Sequence, residues 1–137
     1  MKFIDANIFL YAFLNAKATP DGKKIKELAK AILSRIQKGE KVFTTVIHLS
    51  EVANIAENKL PFDQQNRLFE VIMQNDSIDV KEVDKELYAL AIEYAMDHKA
   101  GVNDALAVIL MQKQNMHEVY SFDSDFDEFP GISRITE

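Results

Sequence analysis

Lys2-Phe3-Ile4 is a short apolar run that ends on an acid, Asp5, and the pattern recurs late in the chain, where Val119-Tyr120-Ser121-Phe122 runs into Asp123. Between them lie Val42-Phe43-Thr44-Thr45-Val46 and Ile78-Asp79-Val80. Short β-branched and aromatic runs of this kind read as strands. The intervening segments carry a helical period. Ile25, Leu28, Ala29, Ile32, Leu33 and Ile36 follow the i, i+3, i+4, i+7 pattern with lysines between them, and Gly39 stops that helix. Further helices are predicted around Leu49 to Ala56, Phe62 to Met73 and Leu87 to Ala95. Asn103 to Met111 is apolar almost all round, which predicts a buried helix. Strands alternating with helices predict an α/β layer fold with a central, mainly parallel sheet.

Three segments are less regular. Ile8 to Leu14 is densely apolar and reads as a strand running into a short helix. Thr19-Pro20-Asp21-Gly22 reads as a turn, and Asp123 to Phe129 as an acidic loop before an edge strand at Ile132 to Ile135.

At 137 residues the chain is expected to form one domain spanning 1–137. Apolar residues make up 47% and charged residues 28%, a globular composition. The absence of cysteine excludes disulfides, thiolate nucleophiles and iron–sulfur clusters. No apolar run approaches the ~18 residues of a membrane helix. Met1-Lys2-Phe3-Ile4-Asp5 is charged too early for a signal peptide, so a cytoplasmic location is expected.

The net charge of −6 argues on its face against nucleic acid. It hides an asymmetry: residues 1–67 hold 11 basic and 7 acidic groups, residues 68–137 hold 5 and 15. An acidic chain still handles phosphates when its carboxylates hold a divalent ion.

Four acids fall where that is expected. Asp5 and Asp123 end strands, Asp104 opens the buried helix, and Glu51 lies in the helix after Val42–Val46. Ligands of parallel α/β sheets bind at the carboxyl ends of strands. Each acid has a plainer reading, since Asp is a favoured helix cap and a helical Glu is usually solvated. Four independent caps at one sheet edge are nonetheless less expected than one site. All-oxygen ligation suits Mg²⁺ or Mn²⁺. Asn7 and Ser121, each two positions from an acid, are candidates to hold a carboxylate or a metal-bound water.

Asp5-Ala6-Asn7, Leu49-Ser50-Glu51-Val52, Asn103-Asp104-Ala105-Leu106 and Ser121-Phe122-Asp123-Ser124-Asp125-Phe126-Asp127, taken in order, resemble the PIN-domain ribonucleases, in the style of VapC-like toxins of toxin–antitoxin pairs. The resemblance spans essentially the whole chain. It implies a three-layer α/β/α fold and metal-dependent hydrolysis of RNA phosphodiesters. Asp5, Glu51, Asp104 and Asp123 match the acidic quartet, as catalytic and metal-binding residues. Asn7 and Ser121 match accompanying polar positions, and Asp125 is able to share or replace the role of Asp123. An antitoxin partner that blocks the site is also implied, for instance by a basic side chain placed among the acids. Such proteins usually pair, and the apolar excess in Ile25–Ile36 and Phe62–Met73 is a candidate homodimer face.

Other residues fit the hydrolase reading less directly. His48, His98 and His117 are expected to be structural or solvated, which leaves attack by metal-activated water. Lys17, Lys23, Lys24, Lys26 and Lys30 are candidates for holding the RNA backbone, although a solvated helix face is the plainer reading. Tyr11 and Phe13 are candidates for base stacking, with core packing the plainer reading. Two competing classes remain at this point. A receiver or dehalogenase-type phosphatase also sets carboxylates at strand ends, but Asn7 stands where the second acid is needed. A non-catalytic PIN-like interaction module is the other.

Overall fold

Successive strand side chains enter opposite layers, and in the central strands both layers are apolar. In the computed structural model of the chain, which describes residues 1–15 and 19–137, Ile4, Val42, Ile78 and Tyr120 face one core. Phe3, Phe43 and Val119 face the other. This is the period-2 alternation of a strand buried on both sides.

The strands are β1 (Lys2–Ile4), β2 (Val42–Thr45), β3 (Ile78–Lys81), β4 (Glu118–Tyr120) and β5 (Ser133–Ile135). They form one sheet in the order β3-β2-β1-β4-β5, and every pairing is parallel. The helices are α1 (Ala6–Phe13), α2 (Pro20–Gln37), α3 (Val46–Lys59), α4 (Phe62–Met73), α5 (Lys85–His98) and α6 (Val102–Lys113). The first core takes Ile8 and Phe9 of α1, Ile32 and Ile36 of α2, Val52 of α3, and Leu68 and Ile72 of α4. The second takes Ala91 of α5 and Leu106, Val108 and Met111 of α6, together with Phe126 and Phe129. The result is the expected three-layer α/β/α arrangement. No helix among the described residues is long and apolar enough to cross a membrane.

Three local expectations change. Residues 6–13 are helical throughout, because the Asp5 carboxylate accepts from the Ala6 N–H and caps the helix directly after β1. Thr19-Pro20-Asp21-Gly22 is the start of α2 rather than a turn: Thr19 Oγ1 accepts from the Gly22 N–H at 3.0 Å and Pro20 takes the first helical position. The acidic segment folds as a 3-10 turn, Ser124–Glu128, whose cap is Asp123. Gly39 does end α2, at a φ of +114° that favours glycine.

The apolar stripe of α2 is spent on the core, where Ala29, Ile32, Leu33 and Ile36 are buried. Within Phe62–Met73, Phe62 (76% exposed) and Met73 (63%) stay in solvent.

Candidate metal centre

The chain leaves β1 toward β2 and β3 on one side and later adds β4 and β5 on the other. The β1/β4 boundary is therefore a topological switch point, where the loops diverge and open a crevice. Asp5 follows β1 and Asp123 lies three residues past β4, so both stand at this crevice. A cavity of about 440 Å³ opens there, lined by Asp5, Asn7, Glu51, Asn103, Asp104 and Asp123 among others. The four acids expected to converge all line this cavity, although they come from the end of β1, α3, α6 and the segment after β4.

Ser121 ties the base of this cavity together. Its hydroxyl donates to Asp5 Oδ2 at 2.7 Å and accepts from Asn7 Nδ2 at 3.3 Å and from the Asp123 N–H at 3.0 Å. One donor and two lone pairs are thus all used. Asn7 Oδ1 accepts in turn from the Phe122 N–H at 3.3 Å. Asp5 both caps α1 and lines the cavity: Oδ1 takes the Ala6 N–H at 2.8 Å while Oδ2 takes the Ser121 hydroxyl.

Carboxylate oxygens of Asp104, Asp123 and Asp125 all lie within 4.8 Å of one another. Asp5 and Glu51 belong to no such tight group among the described residues, but they flank it across the cavity. Asp125, expected as an accessory acid, is held beside Asp123 by its own N–H, which donates to Asp123 Oδ1 at 2.9 Å.

The electrostatics follow from crowding. Burial, reinforced by the charges of Asp5, Asp123, Asp125 and Glu51, pushes the Asp104 carboxyl up to about 7. Burial likewise pushes Asp5 up to about 6, against the opposing hydrogen bonds from Ser121 and Ala6. The three salt bridges among the described residues, Lys2–Glu40, Lys81–Asp79 and Arg134–Asp127, all bypass the five acids. Only protons or a cation can relieve such a cluster. A set of carboxylate oxygens without sulfur or imidazole fits a hard divalent ion such as Mg²⁺ or Mn²⁺.

Residues outside the acids divide clearly. His48 is buried, its Nδ1 2.7 Å from Thr45 Oγ1, and burial pushes it down to about 4, so it is neutral at pH 7. None of the three histidines lines the cavity. Lys23, Lys24 and Lys30 are exposed on α2, as a solvated face requires, whereas Lys26 Nζ turns inward to donate to the Leu14 carbonyl. Lys17 lies outside the described residues. Phe13 packs on the first core, and Tyr11 is exposed, edge-on to Phe122. Two contributors were given no role from the sequence: Asn103, quoted only as the residue before Asp104, and Tyr88. Asn103 Nδ2 donates to Glu51 Oε1, and Tyr88 Oη donates to Asn103 Oδ1 at 2.9 Å.

The chain thus combines a parallel α/β/α fold with acids gathered at its switch point. Residues 2–132 match the PIN domain family, and the chain belongs to it. Solved structures with the same fold include VapC20 of Mycobacterium tuberculosis, described as a sarcin–ricin loop cleaving toxin (TM-score 0.76, 19% identity, covering 93% of each chain). VapBC2 of Rickettsia felis, bound to a DNA fragment from its promoter, gives a TM-score of 0.67 at 14% identity, covering 98% of this chain and 96% of that one. A toxin–antitoxin complex from Klebsiella pneumoniae gives 0.66 at 16%, covering 97% and 96%. No curated protein matches the chain in sequence.

Proposed function

We propose that this PIN-domain chain, residues 1–137 as one unit, is a Mg²⁺- or Mn²⁺-dependent endoribonuclease and the toxin of a toxin–antitoxin pair. One observation carries the reading: four carboxylates line one open cavity, a fifth, Asp125, joins two of them at its edge, and none of the five is in a salt bridge that would relieve its charge. Membership in the PIN family and the likeness to VapC20, a sarcin–ricin loop cleaving toxin, support RNA as substrate.

Asp5, Asp104 and Asp123 would hold the ion. Glu51 would be a further ligand or the group that orients the attacking water, and Asp125 would share the role of Asp123. When bound, the ion lowers the pKa of a water and stabilises charge on the scissile phosphate. The chain's own work is positioning. Ser121 fixes the Asp5 carboxylate, and Asn7 braces Ser121 against the backbone of Phe122. In this reading an antitoxin covers the acidic cavity with a complementary basic group, and the chain pairs with a second copy.

Incubating the protein with ribosomal RNA carrying a sarcin–ricin loop, transfer RNA and messenger RNA tests the proposal. Defined cuts with Mn²⁺ or Mg²⁺ that vanish with chelator are expected. Intact RNA under every condition, with folded protein free of antitoxin, would overturn it.

A further inference from the structure

Three helices meet through side chains that the acidic cluster alone does not require. Glu51 stands on α3, Asn103 in the first turn of α6 and Tyr88 on α5. We propose that Tyr88 and Asn103 are positioning residues that aim Glu51 into the cavity, an inference that rests on the hydrolase reading for its kinetic consequence. A carboxylate only accepts hydrogen bonds, so the amide nitrogen of Asn103 must face Glu51 Oε1. That leaves the amide oxygen facing Tyr88, whose hydroxyl donates to it at 2.9 Å. The directions form one consistent chain, Tyr88 to Asn103 to Glu51. Turning the amide over would set its oxygen against the carboxylate and its NH₂ against the hydroxyl.

The placement is specific. Asn near a helix start usually serves the backbone as a cap. Here Gly101 occupies the cap position and no side chain caps α6, so the Asn103 amide bonds Tyr88 and Glu51 rather than the helix backbone. Tyr88 is half-buried against the second core and lines the same cavity. Glu51 Oε2 has no hydrogen-bond partner among the described residues, and Glu51 lines the cavity. One oxygen is thus anchored and the other is left for an ion or a water. A glutamate with three side-chain torsions would otherwise sample many directions.

Nuclear magnetic resonance on the metal-free protein reads the chain without substrate. The Asn103 side-chain amide pair is identified by its loss in Asn103→Leu. Tyr88→Phe and Glu51→Gln should each shift that pair, with the melting temperature of Tyr88→Phe unchanged. In RNA cleavage, Asn103→Leu should lower kcat about 10–100-fold, the usual effect of losing a partner behind a ligand. Tyr88→Phe should lower it less. KM should hold in both, and the double variant should be no slower than Asn103→Leu alone. An Asn103 pair indifferent to Tyr88→Phe, or losses that multiply in the double variant, would overturn the inference. If the wild type cuts no RNA, the hydrolase reading fails and the resonance shifts alone decide whether the chain of hydrogen bonds holds.

Discussion

Ser121 Oγ and Asp5 Oδ2 lie 2.7 Å apart although 116 positions separate them in the chain. The bond joins the ends of the adjacent parallel strands β4 and β1, so it locks the crevice from which the acids project. Asp5 is only 6% exposed, and this hydrogen bond is part of what makes its burial tolerable.

Ser121→Ala removes one donor and two acceptor sites at once. Asp5 Oδ2 loses its partner, and the Asp123 N–H and Asn7 Nδ2 lose theirs. A buried polar group left unpaired costs about 1–3 kcal/mol. Urea unfolding should show a loss of that size, with the Asp5 carboxyl pushed further above about 6. Stability equal to wild type would show that Ser121 does not carry this load.

The metal-free protein should lose stability as pH rises. Asp5 and Asp104 have folded values of about 6 and about 7, above their ordinary 3.8. Between those limits the folded state binds more protons than the unfolded one, so stability falls with rising pH and levels off above about 7. Mg²⁺ or Mn²⁺ should reverse the fall at pH 8, by binding the folded state alone, and do little at pH 5. Melting curves across pH with and without the ion check both halves. A flat metal-free profile would count against the crowding of these carboxylates.

Asp123 and Asp125 differ in what they hold. Asp123 lines the cavity and accepts the Asp125 N–H, whereas Asp125 is exposed and reaches the cluster only through its oxygen. Asp123→Asn should therefore cost more cleavage activity than Asp125→Asn, by about 10-fold or more. The reverse order in kcat would make Asp125 the fourth acid.

The parts of this fold that were readable from the chain are those where one force dominates. The α2 stripe and the apolar strands report burial, and burial has a period. Residues 6–13 illustrate the limit: Ile8, Phe9 and Leu10 are all buried, and an unbroken apolar run suits strand or helix equally. Asp5 resolves the ambiguity by capping, yet the same carboxylate also faces the cavity, so its two roles could not be separated by residue type. The acids at strand ends were legible because parallel topology sends them to one edge. Tyr88 was not, and Asn103 stood in the quoted motif with no role of its own. On a helix face each reads as an ordinary polar residue, and only the packing of α5 beside α6, with α3 across the cavity, brings them to Glu51.

The most direct measurement compares wild type with Asp104→Asn for RNA cleavage in Mn²⁺, alongside thermal unfolding of both proteins without metal. Burial pushes the Asp104 carboxyl up, and the charges of Asp5, Asp123, Asp125 and Glu51 around it push it further. Neutralising it should abolish cleavage while leaving the metal-free fold equally or more stable, the usual trade at a site built for charge. Cleavage at the wild-type rate by a folded Asp104→Asn protein would contradict the account.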